Sequence, residues 1–312
     1  MTEAIISTDS RAPSANPPST PTGAGRDLGF WLDGAAPYLQ ATPLALILLV
    51  FLFIPILTIV VVSFWDYDFA RIIPDFVLTN YQETLGSAVT WRTYLNTLRY
   101  AVIVWAITAV VGFTAAYFLA FHVRTVGMQI VLFLLCTVPF LTSNIIRMIS
   151  WIPFLGRNGL LNSALIEVGA IDEPLEFLLF SDFAVVLAMV HLYVLFMVVP
   201  IFNTLMRIDR SLIEAARDAS ANGWQTLTNV VIPLAKPGIA IGSIFVITLV
   251  MGEFITVRFM SGGQSASVGL MMANQISLLQ YPAAAANAVV LLITVLIIVA
   301  AILRIVDIRK EL

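Results

Sequence analysis

Long apolar runs alternate with short polar ones along the chain. Six stretches each approach the roughly 20 apolar residues that a helix needs to cross a hydrocarbon core: residues 44–63, 100–121, 128–155, 183–206, 238–260 and 283–303. None alternates with period two, which argues against a transmembrane barrel. In lipid each run must be helical, because a helix meets its own backbone N–H and C=O groups. The predicted fold is an all-α membrane protein with six transmembrane helices. Arg147 lies in the third run, His191 in the fourth, and Glu253 and Arg258 near the far end of the fifth.

Between the fourth and fifth runs stands EAARDASANGWQTLTNVVIPLAKP, residues 214–237. Ser211 and Glu214 have the S-x-x-E spacing of a capping box, in which each side chain meets a backbone N–H at the helix start. Ala215, Ala216 and Ala219 give the helix a small-residue face, and Asn222-Gly223 has the composition of a left-handed stop. A second helical stretch over 224–231 is expected to end at Pro233, with Pro237 suited to the first turn of run five. The pattern predicts two short helices at an angle, held at one membrane face.

Lys and Arg counts orient the spans, since they concentrate on the cytoplasmic side. With the N-terminus inside, ten fall on the inner side (Arg11, Arg26, Arg124, Arg207, Arg210, Arg217, Lys236, Arg304, Arg309, Lys310) and four on the outer (Arg71, Arg92, Arg99, Arg157). The acidic group Glu167, Asp172, Glu173, Glu176 and Asp182 then lies outside. Both termini and the insert between spans four and five are expected in the cytoplasm. Residues 1–36, rich in Pro, Ser, Thr, Ala and Gly, read as a disordered cytoplasmic tail, and residues 37–312 as the transmembrane domain. A cleavable signal would place its apolar core sooner and make it shorter, so the first span is expected to be retained.

Composition agrees with lipid as the main solvent: 60% hydrophobic residues, 11% charged residues and a mean hydropathy of +0.95. A net charge of -3 without a basic excess gives no support to nucleic acid as a partner. Cys136 is the single cysteine, and His122 and His191 stand far apart, so neither a disulfide nor a metal site is indicated. A phosphate-binding loop requires G-x-x-x-x-G-K-[ST]. The two lysines, Lys236 before Pro237 and Lys310 before Glu311, fit no such loop. Any ATP hydrolysis must come from another polypeptide.

The string EAARDASANGWQTLTNVVIPLAKPGI resembles the EAA signature of binding-protein-dependent ABC importer permeases. Glu214, Ala215 and Ala216 match its start, and Val230, Ile232 and Pro233 occupy its later positions with conservative changes. The usual Gly is replaced by Ser220, with a glycine instead at Gly223. The segments PFLTSNIIRMISWIPFLGRNGLLN and GEFITVRFMSGG are similar to spermidine/putrescine-type permeases, with RMISW where that subgroup usually has RTYAW. The resemblance implies that the first insert helix, carrying Ser211, Glu214, Ala215, Ala216, Arg217 and Asp218 and followed by Ser220 and Gly223, is a coupling helix docked on an ATPase subunit. It further implies an ATPase dimer that binds ATP and Mg, a second permease chain that is a paralogue, an extracytoplasmic solute-binding protein, a bacterial inner-membrane location and a polyamine cargo. Opines, amino-acid derivatives and quaternary amines remain alternative cargoes.

Ionisable groups within spans usually face a polar cavity or a partner. Asn144, Arg147, Trp151 and Glu253 are therefore candidates for the substrate path, with Asn203 as a further amide on it. Against this, Arg147 can snorkel to the interface and Glu253 can pair with Arg258 or Arg147. Gly238 and Gly242 form a G-x-x-x-G suited to close helix packing. Two other classes remain: an ion-coupled secondary transporter, which requires matching interrupted spans in two halves, and an intramembrane enzyme. His191 alone makes no catalytic set.

Overall fold

A computed structural model describes residues 41–68, 71–123 and 125–306. The expected tail, residues 1–36, lies outside the described residues, as do Arg124, Arg309 and Lys310. The chain divides into two compact units, Met1–Ile56 and Leu57–Leu312. In the first, residues 41–56 are helical and every side chain is exposed, as suits a surface solvated by lipid.

The second unit is almost wholly helical. Helix α1, Ala41–Val62, ends within it. A two-stranded antiparallel hairpin follows, β1 (Asp66–Asp68) and β2 (Arg71–Ile73). Then come α2 (Thr79–Gly86), α3 (Ala88–His122, its last turn a π-helix), α4 (Val126–Thr137), α5 (Asn144–Leu155) and α6 (Leu160–Glu167). The remainder is α7 (Asp182–Leu205), α8 (Arg210–Asp218), α9 (Gly223–Met251), α10 (Ile255–Met260), α11 (Val268–Ser277) and α12 (Tyr281–Ile305).

Among the described residues five helices are long and apolar enough to cross a membrane: α1, α3, α7, α9 and α12. The third expected span, residues 128–155, differs. It is two pieces, Val126–Leu141 and Asn144–Glu167, bent by 90°. Pro139 tightens the end of α4 into a 3-10 turn, and Thr142 and Ser143 are extended. The Arg147 segment therefore lies on its own helix. The count becomes six only if this bent pair is one span.

Run five, expected over 238–260, also differs at both ends. Helix α9 begins at Gly223 and passes through Pro233 and Pro237 without stopping. A π-segment over Leu227–Val231 precedes Pro233, and Ile232 N–H reaches back to Leu227 O. This wider turn redistributes the hydrogen bonds around a residue that has no N–H to give. At the other end α9 stops at Met251, so Glu253 lies in a break between α9 and α10.

Helices α3, α7 and α9 form the core, with Val104, Val185, Met189, Met197, Ile201 and Val246 inaccessible to solvent. Their approach is set by glycines. A Cβ on Gly238 would sit 2.6 Å from Pro200 O, one on Gly242 2.6 Å from Met197 Sδ, and one on Gly112 2.9 Å from Met197 Cγ. The G-x-x-x-G of α9 thus packs on α7, as expected of small residues between helices in lipid. Trp105 Nε1 on α3 also donates to Ser243 Oγ on α9 at 2.7 Å.

At one end of the bundle Asp182 joins several elements. It accepts from the hydroxyls of Tyr100 and Ser265 and pairs with Arg99 at 3.2 Å. As the first residue of α7, capped by Ser181, it also meets the positive end of that helix.

Replacing Gly238 with Ala forces a methyl group against the backbone of α7 at Pro200 and Ile201, so α7 and α9 must separate. The expected loss is about 1–3 kcal/mol, read as a lower thermal unfolding midpoint of the purified protein in detergent. Ala at Gly86, where nothing lies within 4 Å, serves as the neutral control.

Candidate functional site: an amphipathic loop helix and a buried polar cluster

The loop helix α8 begins differently from the S-x-x-E expectation. Its cap is Asp209, whose Oδ1 accepts from Ser211 N at 2.9 Å. That bond holds the Asp209 carboxyl below its usual range. Ser211 is the second helical residue, too late in the helix to cap it, and no capping box links it to Glu214. The capping box stands one helix later, at the start of α9. Asn222 Oδ1 accepts from Gln225 N, and Gln225 Oε1 from Asn222 N, each at 2.8 Å.

The left-handed stop is also displaced. Asn222 has an extended backbone, while Ser220 has φ 63°. Ala221 N donates to Ala216 O at 3.0 Å and Ser220 N to Arg217 O at 2.8 Å, the paired bonds of a Schellman motif. A left-handed residue is therefore required at Ser220, and Gly223 has no such role. Glycine would adopt that conformation without the Cβ clash.

Helix α8 is strongly two-faced. Arg210, Ile213, Glu214 and Arg217 line a cavity of about 350 Å³ with Tyr117, Phe121 and His122 at the end of α3. Leu212 and Trp224 are exposed, as are Ala215, Asp218, Ser220 and Gly223, while Ala216 is half-buried. Above α8 a cleft of about 740 Å³ between α7 and α9 is lined by Asn203, Thr204, Arg207 and Asp209 among others. Asn203 thus borders a different space from Asn144.

The second constellation lies where α5, α7 and α10 meet. Glu253 is buried, 8% exposed. One oxygen accepts from the Tyr193 hydroxyl, and the other from Thr256 N at 2.8 Å. Its carbonyl accepts from Ser267 Oγ at 2.8 Å. The expected ion pair of Glu253 with Arg258 or Arg147 is absent. Among the described residues the ion pairs are Arg99–Asp182 and Arg157–Glu176, while Arg258 bonds Asn274 instead at 3.2 Å.

Trp151 Nε1 donates to His191 Nδ1 at 3.2 Å, with the rings edge to face. This assigns the ring proton of His191 to Nε2. Arg147 rests 5.5 Å from the Phe140 ring centroid, and Tyr193 is within electrostatic reach of both Arg147 and Glu253. Arg147, Trp151 and Glu253 are therefore gathered in one region, with Asn144 one turn from Arg147. Sequence reading missed Tyr193 and Phe140, which are ordinary aromatics in apolar runs. Asn222-x-x-Gln225 was legible as a cap.

Residues 109–311 match the family described as binding-protein-dependent transport system inner membrane component. The chain belongs to that family. It is 34% identical over 248 residues to the spermidine/putrescine transport system permease protein PotB of Escherichia coli (strain K12), covering 79% of this chain and 89% of that one. The fold of this permease is similar to a chain of a bacterial ABC transporter involved in the import of the acidic polysaccharide alginate, with TM-score 0.68 at 16% identity, covering 91% of this chain and 98% of that one. It is also similar to a chain of the bacterial alginate ABC transporter in complex with alginate pentasaccharide-bound periplasmic protein (TM-score 0.68, 15% identity, 88% and 95% covered).

Ser220→Gly removes the left-handed penalty, which is about 1 kcal/mol for a residue with a Cβ. Amide exchange at Ala221, measured by hydrogen–deuterium exchange, should slow several-fold. Ser220→Val should speed it.

Proposed function

We propose that this permease is one of two membrane chains of an ATP-driven importer for polyamines of the spermidine/putrescine kind. The observation that carries the reading is the 34% identity to PotB over most of both chains. The bundle, the broken α4–α5 pair and the α8 loop agree with a permease that works by rearranging helices. Family membership sets aside a lone ion-coupled transporter and an intramembrane enzyme.

The Lys and Arg asymmetry supports an orientation with both termini and α8 in the cytoplasm of a bacterial inner membrane. In that orientation α8 docks on an ATPase subunit through its exposed face, with Ala215, Asp218 and Leu212 available to a groove. Glu214 and Arg217 sit on the opposite side, lining the cavity at the foot of α3. The ATPase dimer binds ATP and Mg. A paralogous permease chain completes the path, and an extracytoplasmic solute-binding protein delivers cargo to the outer face, with lipid surrounding the spans. Each of these ligands must favour one of two conformations for transport to proceed.

Closure of the ATPases moves α8, and α8 moves α3 and α9. Glu253 acts on a polycation through the negative potential of a buried carboxylate. Its two oxygens are already held by Tyr193 and Thr256, so it braces the α9–α10 break and biases the path towards cations.

Cells carrying the complete importer should take up labelled putrescine or spermidine. Excess unlabelled opine or quaternary amine should not compete. Absence of polyamine uptake in the unmutated importer overturns the cargo. Glu214→Lys should reduce ATPase co-purification from gentle detergent by tenfold or more, by placing a cation beside Arg210 and Arg217. Purification as a lone chain with full gradient-driven uptake overturns the subunit reading.

A further inference from the structure

Arg147 holds two nitrogens, Nε and Nη1, that are buried and have no hydrogen-bond acceptor among the described residues. Asn144 Oδ1, one turn earlier on α5, is likewise buried and unmet. The Phe140 ring beneath the guanidinium offers only its π-face. Arg147 as a whole is half-buried, but buried guanidinium nitrogens are costly unless an acceptor meets them.

Its own chain has little to offer. Glu253 is held by Tyr193 and Thr256, Asp182 by Arg99, Tyr100 and Ser265, and Glu176 by Arg157. His191 presents Nδ1 to Trp151. A polyamine is a polycation and brings no anion. Meanwhile the α5 face that carries Arg147 is open: Ser150 and Phe154, three and seven residues on, are exposed, as is Ile146 on its flank. An open helix face beside a half-buried cation with unmet nitrogens is complementary to a protein surface that carries an acid.

We propose that Arg147, with Asn144 beside it, is half of an ion pair whose carboxylate is an Asp or Glu side chain of the second permease chain. The pair rests on the importer reading above, since it needs a second membrane chain. It would join the two permeases where α5 faces the path, at a point whose separation opens that path. Asn144 then meets a neighbouring donor of the same partner surface.

The test uses the whole importer, both permeases and the ATPase, immobilised through this chain in detergent without any solute. The readout is the rate at which the second permease is lost. Removing one member of a buried pair acts mainly on dissociation, so Arg147→Ala should speed loss by about tenfold or more. Arg147→Lys, which keeps the charge, should stay within about threefold of the unmutated rate. Amide substitutions are then scanned across the intramembrane acids of the second permease. One of them should match Arg147→Ala, and the double variant should be no faster than either single one.

An unchanged rate in Arg147→Ala overturns the proposal, as does strict additivity with every acid. If Arg147→Ala does not assemble, Arg147→Glu is combined with an acid-to-Arg exchange in the partner. Restored assembly supports the pair, and failure of every exchange overturns it. Slowing of loss by a carboxylate-bearing solute such as glutamate, without coupling to any partner acid, would reassign Arg147 to cargo and also overturn it. Because no polyamine enters the assay, its outcome is independent of the cargo assignment.

Discussion

Lipid supplies no hydrogen bonds, so wherever this chain stops being helical it must meet its own freed backbone groups. Buried polar side chains perform that task at one break after another. Asn80 Nδ2 donates to Ser63 O and Trp65 O, closing the end of α1. Gln129 Nε2 donates to Leu119 O and Val123 O at the π-turn that ends α3. Asn162 takes Gly156 O and Leu175 O and accepts from Leu175 N, joining α6 to the turn after α5. Glu253 caps α10 through Thr256 N. All four are buried, and in each case the side chain stands in for the water that a soluble protein would use.

This constraint changes the meaning of the charged and polar residues in the spans. A carboxylate in an apolar run reads first as a cargo ligand or half of an ion pair. Glu253 forms no ion pair among the described residues: its position at the α9–α10 break gives it a structural duty, and Tyr193 completes its bonding. Arg147 is the contrasting case. It is the fourth residue of α5, caps nothing, and leaves Nε and Nη1 without an acceptor among the described residues. The difference between the two comes from the donors and acceptors that the fold brings to each, and only the folded chain reveals those.

Some of this was legible in the sequence. Runs 44–63, 183–206 and 283–303 fall close to α1, α7 and α12, because length and apolarity alone determine a helix in lipid. Run 100–121 began too late, because Arg92, Thr93, Asn96 and Arg99 make the first turns of α3 look polar. Those turns are nevertheless anchored, with Tyr94 O–H donating to Asn287 O and Thr97 Oγ1 accepting from Val268 N. The break at Thr142-Ser143 was masked by the hydrophobicity on either side. In the loop, S-x-x-E points to a cap two residues past the true one, Asp209. The departure at Ser220 proved informative, since the backbone keeps the left-handed turn although the glycine is gone. Conformation there is fixed by the two helices that meet, not by the residue's preference.

The continuity of α9 gives the loop its mechanical significance. Had Pro233 ended a separate helix, displacement at the loop would dissipate in a hinge. Instead Gly223–Met251 is a single helix of 29 residues, roughly 44 Å at the usual rise per residue. Its start is fixed by the Asn222–Gln225 box, and the Schellman turn at Ser220 ties the connecting residues to the end of α8. Its middle is pressed on α7 through Gly238 and Gly242, where Pro200 and Met197 leave no room to slide without repacking. Its far end stops at the Glu253–Tyr193 contact, beside the helix that carries Arg147. On the importer reading, movement of α8 therefore reaches the α5–α10 region as displacement of a stiff element. The π-segment at Leu227–Val231 is the one irregular stretch along that element, and it lies between the loop and the membrane-spanning part. Any softness in the coupling is concentrated there, before the glycine contacts commit the rest of α9 to move with α7.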